Sequence, residues 1–372
     1  MKCRAIIFCA WMGVMLAVAS LAQAGSLAVY GAPSYNPVTG NGYMSVSVGG
    51  VSDTGVAVGS AIYYVGGSSQ GTRAVQWSAS GATELGGLGT RSDGWWNSEA
   101  YAINASGTAV GYSQAYDDGE YAGVYGARWN AGGTAATELG YIDRYVEKPG
   151  GWATAVNNNN VAVGYVDKYF DADYLIGHRA VRWDASGTAA TELGNLGTTA
   201  SGVTQGQAVA INAAGTAVGQ MEKYDIAHND KGTRAVRWDA AGTDATELGI
   251  LGTDGNGWTD AAAEAINTAG IAVGWANEYL AGSLVGTRAV YWGSNGVAVD
   301  LNTLIDPNSG WTLEKATAVS DTGWIAGIGL YDPDGAGGAD AYERLFSLQI
   351  PEPASMVLLA LGGLALLKRR HG

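Results

Sequence analysis

A repeated unit constrains the fold of this chain more than any other feature. One nine-residue motif occurs six times, with starts 52 to 55 residues apart, and two of its copies read Ile-Asn-Ala-Ser-Gly-Thr-Ala-Val-Gly (103–111) and Val-Ser-Asp-Thr-Gly-Val-Ala-Val-Gly (51–59). A second segment follows each copy, as in Arg-Ala-Val-Arg-Trp (179–183), and its sixth version is the degenerate Arg344–Leu348. A third segment, Ala-Thr-Glu-Leu-Gly, ends at Gly86, Gly140, Gly194 and Gly249. The body is therefore an array of one structural unit.

Each unit contains four short β-patterned segments. An Asn-x-x-Gly turn separates the first two, and an Asp-Ala-Ser-Gly-Thr type of turn precedes the fourth. Four strands in about fifty residues are typical of a propeller blade. The sequence therefore predicts an all-β, six-bladed β-propeller of four-stranded blades. The sixth unit has no fourth segment of its own, whereas Ser26–Gly31 precedes the first unit. We expect this N-terminal strand to complete the last blade and close the ring.

Composition limits the chemistry available to the chain. Its two cysteines, Cys3 and Cys9, lie in the first ten residues, so the body has no thiol for disulfides or metal binding. The formal net charge is −14, and removal of both ends makes it more negative because they carry five basic residues and one acidic residue. Such a polyanion disfavours nucleic acid and anionic lipid as partners. The charge also fits a simple role in keeping an exported protein soluble.

Both ends of the chain are typical of targeting segments. Residues 1–24 have a basic start, an apolar stretch and an Ala-Gln-Ala cleavage site, which predicts a signal peptide followed by a repeat body over residues 25–350. Residues 351–372 contain a Pro-Glu-Pro triplet (Pro351, Glu352 and Pro353), an apolar run shorter than a spanning helix, and a basic cluster. A short membrane anchor is one interpretation. The ordered elements also resemble the PEP-CTERM sorting signal, and this resemblance implies exosortase as an export partner, transient membrane contact through a C-terminal helix, and a Gram-negative source that produces exopolysaccharide.

The repeats resemble a second family, the bacterial extracellular HAF repeats. In that family a Gly-Ile-Asn-x-x-Gly-x-Val-Val-Gly segment precedes His-Ala-Phe-x-Trp and then Asp-Leu-Gly-x-Leu-Gly. Here Arg-Ala-Val-x-Trp replaces the second element, and Glu-Leu-Gly-Gly-Leu-Gly (84–89) keeps the third. The resemblance covers nearly all of residues 45–348 and implies a fold and an extracellular location but no reaction.

Blade geometry predicts one variable surface. We number the strands of each blade 1 to 4. The turns between strands 1 and 2 and between strands 3 and 4 would emerge on one face, and the longer and more variable 2–3 and 4–1 connections on the other. The 4–1 connections carry tryptophans that follow glycines, and the 2–3 connections are rich in Tyr and Asp. The candidate ligand-binding residues are Trp95, Trp96, Trp152, Trp258 and Trp311.

Two roles fit these five tryptophans. Flat aromatic faces beside carboxylates suit sugars or a protein partner, but the same rings could plug the gaps between neighbouring blades. The five tryptophans that end the second segment (Trp77, Trp129, Trp183, Trp238 and Trp292) recur at one blade position and are predicted to be core. Arginine and glutamate at matched positions, such as Arg182 and Glu192, are predicted to pair across the 3–4 hairpin.

Metal and catalytic signals are weak. Asp332, Asp334 and Asp340 lie in a Gly-rich loop that could wrap Ca²⁺, but the spacing lacks the further ligands of an EF-hand, and an ordinary acidic, flexible loop is the better explanation. His178 and His228 are the only histidines of the body, and no zinc spacing, nucleophile elbow or phosphate-binding loop is present. The sequence predicts no catalytic residue and no cofactor beyond a possible Ca²⁺ ion.

Two hypotheses on function follow. The first is an exported cell-surface or extracellular-matrix repeat protein with a non-catalytic binding or structural role, associated with exopolysaccharide or another envelope component. The alternative is a secreted propeller glycan hydrolase or lyase, which would require a carboxylate near the central channel.

Overall fold

The computed structural model describes residues 36–142, 148–171, 174–334 and 340–350. These residues form an all-β fold of six antiparallel sheets, five with four strands and the sixth with three. Each sheet corresponds to one repeat, with strands ordered as in the sequence. The all-β class and the strand content of the repeats are therefore confirmed.

The strands of the first three sheets alternate with short turns. They are β1 Gly42–Val51, β2 Ala57–Val65, β3 Ser68–Ser78, β4 Gly81–Glu84, β5 Ser98–Ile103, β6 Ala109–Asp117, β7 Glu120–Trp129, β8 Ala136–Leu139, β9 Gly151–Val156, β10 Ala162–Tyr169, β11 Leu175–Trp183 and β12 Ala190–Glu192.

The last three sheets follow the same order. Their strands are β13 Gly206–Ile211, β14 Ala217–Tyr224, β15 Asp230–Trp238, β16 Ala245–Glu247, β17 Ala261–Ile266, β18 Ala272–Leu280, β19 Ser283–Trp292, β20 Ala298–Asp300, β21 Trp311–Val319, β22 Trp324–Tyr331 and β23 Tyr342–Gln349. A 3-10 helix, Leu301–Leu304, is the only helix in the described ranges.

The glycine that ends the nine-residue motif has a steric role. In the second sheet, the register between β5 and β6 shifts after Ala100, and this bulge brings the Glu99 carbonyl oxygen against Gly111. A Cβ atom on Gly111 would overlap that oxygen, so only glycine fits. The same close approach recurs at Gly59, Gly164, Gly219, Gly274 and Gly327.

The asparagine of the 1–2 turn connects consecutive repeats. The Asn104 side-chain oxygen accepts hydrogen bonds from the backbone N–H groups of Ser106 and Thr108, and Gly107 closes the turn at φ +90°. The Asn104 side-chain amide donates to the carbonyl of Asn157, the equivalent residue in the third repeat, at 2.9 Å. Asn157, Asn212 and Asn267 each donate in the same way to the following repeat.

Tryptophan provides the main packing contact between sheets. Trp238 is fully buried, and its indole N–H donates to the Gly194 carbonyl of the preceding repeat at 3.0 Å. Gly194 in turn donates its backbone N–H to Thr243 in the fourth repeat. Trp129, Trp183 and Trp292 repeat this bond, and all five tryptophans at this position, including Trp77, are at most 4% exposed. The prediction that they are core residues is confirmed.

The six 1–2 turns lie around one cavity. Residues 51–53, 103–105, 156–158, 211–213, 266–268 and 319–321 line a space of about 350 Å³. Consecutive sheets pack through their first strands, from β1 against β5 to β17 against β21. Several hydrophobic side chains of the first and sixth sheets are exposed, including Val48 in β1 and Leu345 in β23. The predicted closing strand, Ser26–Gly31, lies outside the described residues.

The predicted Arg–Glu pairs across the 3–4 hairpin are wrong. Glu192 lies opposite Val181 rather than Arg182, so Glu192 and Arg182 project from opposite faces of the sheet. Glu192 instead pairs with Arg179 at 3.4 Å, while Arg182 donates to backbone carbonyls of Asp239 and Ala240 in the next repeat. Arg128 and Arg237 also contact carbonyls of the following repeat.

Trp238→Phe is expected to lower the free energy of unfolding by about 2 kcal/mol, because it leaves the half-buried Gly194 carbonyl without its donor and creates a small cavity. Trp324→Phe is the matched control: Trp324 is 48% exposed, and this change should shift stability by less than about 0.5 kcal/mol. Urea unfolding followed by fluorescence measures both. Equal shifts for the two variants would contradict a structural role for the indole hydrogen bond.

Candidate functional site

The connections between strands fall into two groups on opposite sides of the sheets. The 1–2 turns share one backbone hydrogen-bond pattern. The N–H group of the first residue donates to the carbonyl of the fifth, and the N–H group of the fourth donates to the carbonyl of the first, as in Asn212, Gly215 and Thr216. We call the side with these turns the turn face. The 4–1 connections lie beside the 2–3 connections at the other end of the strands, because Glu222 donates to the Gln205 carbonyl and Asn277 to that of Asp260.

We call this other side the variable face. It comprises the described residues of the 4–1 connections (85–97, 140–150, 193–205, 248–260 and 301–310) and of the 2–3 connections (66–67, 118–119, 170–174, 225–229, 281–282 and 332–341). Their lengths and sequences differ between repeats, as the sequence predicted for one side of the molecule.

Buried arginines hold the 4–1 connections in place. Arg234 donates to the backbone carbonyls of Gly257, at 3.1 Å, and Thr259, and its Nε contacts Glu247 at 3.0 Å. Arg73 and Arg179 make the same contacts in their repeats. Burial lowers the pKa of Arg73 to about 10, so it keeps its charge near neutral pH. The sequence signal for this role was the recurrence of Arg-Ala-Val in one strand and of Glu in the next. Sequence reasoning did not assign these arginines to the 4–1 connections.

Three of the candidate tryptophans follow a glycine at the same position of the repeat. Trp95 and Trp258 lie in 4–1 connections after glycines with positive φ, whereas Trp311 follows Gly310 as the first residue of β21 and packs on Tyr331 with ring centres 5.1 Å apart. An aspartate fixes two of these turns: Asp254 accepts from the backbone N–H of Trp258 at 2.8 Å, and Asp93 accepts from that of Trp95 at 3.1 Å. These bonds lower the pKa of Asp254, the bond from Trp258 most strongly. The three indole rings are half-buried at the variable face.

Trp96 and Trp152 have different surroundings. The Arg73 guanidinium lies 3.3 Å from the centre of the Trp96 ring, and the same ring covers Gly87. Trp152 belongs to β9 rather than to a 4–1 connection, and it stacks on Tyr165 with ring centres 5.0 Å apart. The five tryptophans are therefore distributed over four repeats, and Trp96 packs against Arg73 of the first sheet.

A polar pair lies beside Trp152 in the third repeat. His178 Nδ1 and Asp167 Oδ1 are 2.6 Å apart, and the His178 ring contacts both Trp152 and Tyr165 edge-on. Burial, and to a lesser extent Asp167, raises the pKa of Tyr165. Sequence reasoning missed this cluster, although Asp167 and His178 are direct partners across the β10–β11 hairpin.

The other predicted chemical sites receive no geometric support. In the described ranges, no three His, Cys, Asp or Glu side chains lie close enough to hold a metal ion, and these ranges include Asp332, Asp334 and Asp340. His228 contacts the Thr198 carbonyl and lies in a different repeat from His178.

No helix in the described part of the chain is both long and apolar enough to span a membrane. The signal peptide and the sorting segment with Pro351, Glu352 and Pro353 lie outside it.

Two family models match parts of the chain. A PEP-CTERM protein-sorting motif matches residues 349–370, which confirms the predicted sorting signal and indicates a protein exported in a Gram-negative bacterium and sorted by an exosortase. A model described as a protein of unknown function (DUF3466) matches residues 72–237, less than half of the chain. No curated protein matches the sequence.

Solved structures show only distant likeness. A Xanthomonas campestris gluconolactonase is 12% identical, with 86% of this chain and 94% of that chain covered and a TM-score of 0.33. A protein of unknown function from Dyadobacter fermentans is also 12% identical, with 86% and 98% covered and a TM-score of 0.39. These scores are too low to assign a fold or an activity.

Trp96→Ala is expected to lower the free energy of unfolding by about 2 kcal/mol, because it removes the ring that covers Gly87 and contacts Arg73. Trp95→Ala, one residue earlier, should cost less than about 0.5 kcal/mol because its ring lies at the surface beside Arg91. Chemical denaturation of the two variants gives the comparison. A larger loss for Trp95→Ala would reverse the assignment of plug and surface residue.

Proposed function

We propose that this chain is an exported, non-catalytic surface or matrix protein that binds polysaccharide of the bacterial envelope through its variable face. The observation that carries the proposal is the division of the connections: uniform turns occupy one side, and connections that differ between repeats and bear half-buried aromatic rings occupy the other. A scaffold that varies on one side only is typical of binding proteins. The extracellular HAF repeats, which the sequence resembles, suggest the same location.

The chemistry of the variable face suits neutral sugars better than anionic ligands. The rings of Trp95 and Trp258 offer flat apolar surface for C–H groups, and Asp93 and Asp254 lie beside them. The net charge of −14 disfavours phosphate-rich partners. Both properties are compatible with exopolysaccharide.

The proposed architecture is a six-bladed propeller whose N-terminal strand closes the ring. Six turns around one cavity support a circular arrangement. The sixth sheet has three described strands, and Trp311, Leu313, Phe346 and Leu348 line an apolar groove of about 280 Å³ beside β23. In the other sheets the fourth segment buries a leucine, such as Leu193, against the core. We assign the fourth position of the sixth sheet to Ser26–Gly31.

Simultaneous substitution of Trp95 and Trp258 by alanine is expected to weaken retention on polysaccharide extracted from the producing bacterium by roughly fivefold or more, taking about 0.5–1.5 kcal/mol for each ring, the range for aromatic contacts. Co-sedimentation of the exported protein with the polysaccharide measures this. Trp324→Ala, an exposed tryptophan beside the 1–2 turn of the sixth repeat, is the control and should bind normally.

Equal retention of the double variant and the wild-type protein would remove these two rings from the proposed binding surface. Release of new reducing or unsaturated ends from the polysaccharide would instead favour the hydrolase or lyase.

A disulfide tests the closing strand. By analogy with the pairing of Trp183 and Ala190, Leu348 would lie opposite Leu27. In a chain with Cys3 and Cys9 changed to Ser, we therefore expect Leu27→Cys with Leu348→Cys to form a disulfide in an oxidising compartment, because directly opposed residues have Cα atoms about 4.5–5.5 Å apart.

Non-reducing electrophoresis detects this crosslink. Leu27→Cys with Phe346→Cys is the register control, because diagonal neighbours lie about 7–8 Å apart and should not bridge. No crosslink in the first pair, or equal crosslinking in both, would contradict the predicted closure.

A further inference from the structure

A cavity opens at the variable face beside the fourth sheet. It measures about 320 Å³, close to the lower end of the range of about 300–1,000 Å³ for small-molecule sites. His178 from β11 lines it together with Gln207, Gln220, Glu222 and Thr233 from the fourth sheet. The hydrogen bond from the Glu222 backbone to the Gln205 carbonyl places the cavity where a 4–1 connection meets a 2–3 connection.

Two side chains of the cavity are held in fixed orientations. Asp167 binds His178 Nδ1 at 2.6 Å, which leaves Nε2 of the same ring without a partner among the described residues. Glu222 Oε2 accepts from the backbone N–H of Gln205 at 2.9 Å and from the Tyr224 hydroxyl at 3.1 Å. Groups fixed in this way lose little conformational freedom when a ligand binds.

Two other side chains have unused hydrogen-bonding capacity. Gln207 and Gln220 face each other across β13 and β14, and neither side-chain amide has a partner in the described part of the chain. Each amide provides two donors and one acceptor oxygen. A pair of amides can therefore match several neighbouring hydroxyl groups of one ligand.

The equivalent positions of other sheets contain no such pair. In the second sheet they are Glu99 and Tyr112, which bond to each other at 3.3 Å, and in the third they are Trp152 and the stacked Tyr165. In the fifth sheet they are Ala262 and Trp275. Among these four sheets, only the fourth presents two amides beside a cavity.

The lining also selects the charge of a ligand. Glu222 is the only acidic side chain of the lining, no lysine or arginine lines the cavity, and Asp167 lies just behind His178. Phosphate or carboxylate groups would meet uncompensated negative charge, whereas neutral hydroxyl groups would meet amides, a hydroxyl and an imidazole.

We propose that this cavity binds a single neutral pyranose unit, with Gln207 and Gln220 donating to its hydroxyl groups and His178 Nε2 making a further hydrogen bond. The choice of a sugar rests on the proposed polysaccharide-binding function. No tryptophan of the described residues lines this cavity, and the site would recognise one residue or one end of a glycan chain.

Saturation-transfer difference NMR tests the proposal on the exported protein with glucose, galactose, mannose and N-acetylglucosamine, each at millimolar concentration. At least one of these sugars should receive saturation from the wild-type protein. Gln220→Leu, which keeps the side-chain size but removes the amide, should weaken that binding roughly tenfold through loss of its hydrogen bonds. Gln70→Leu, in β3 of the first sheet, is the matched control and should bind as the wild type does.

The outcomes separate this proposal from the proposed function. No transfer to any of the four sugars would overturn the pyranose site, even if the protein is retained on polysaccharide. Transfer that Gln220→Leu leaves unchanged would also overturn it, and His178→Ala provides the same readout if Gln220→Leu unfolds. Sugar binding that depends on Gln220, without retention on polysaccharide, would support the cavity and contradict the broader function.

Discussion

The hydrogen bond from a buried tryptophan to a glycine carbonyl of the preceding repeat, present in the second to fifth repeats, is the interaction on which the rest of the structure depends. The buried clusters between sheets consist mainly of alanine and valine, so the sheets approach closely and leave room for one large ring. Trp238 fills that space and also satisfies the Gly194 carbonyl, a backbone group at the edge of the preceding sheet. A repeat is thus completed by its neighbour, as in other arrays whose units cannot bury their own faces alone.

Two further sets of polar side chains stabilise the interfaces, one at each end of the strands: asparagines of the second to fifth repeats, and arginines of the first, third and fourth repeats. At the turn face, Asn157 and its equivalents cap their own turn and donate to the next repeat. At the variable face, Arg234 and its equivalents bind the backbone carbonyls of the 4–1 connection. Because these arginines contact main-chain atoms, the loop side chains can differ between repeats without loss of the anchor. A rigid scaffold and a variable surface therefore coexist in one repeat sequence.

The sequence was sufficient to predict features that depend on local pattern. The strands, the Asn-x-x-Gly turns and the buried tryptophans follow from alternation and from the spacing of equal residues. The predicted Arg182–Glu192 pair was wrong because successive side chains of a strand point to opposite faces of the sheet. Glu192 lies opposite Val181, one residue away from the expected register, and therefore projects from the other face than Arg182. Trp152 follows a glycine as Trp95 does, but it lies within a strand. The His178–Asp167 contact required the register of a hairpin whose loop length the sequence does not specify.

The position of the last described strand determines where the sorting segment begins. Ile350 is buried, and its backbone N–H donates to the Gly323 carbonyl in the 1–2 turn of the sixth repeat. Residue 351 is a proline, which has no N–H group with which to continue the pairing of β23. The sorting motif therefore starts from the turn face. The described part of the chain thus ends at the opposite end of the strands from the variable face.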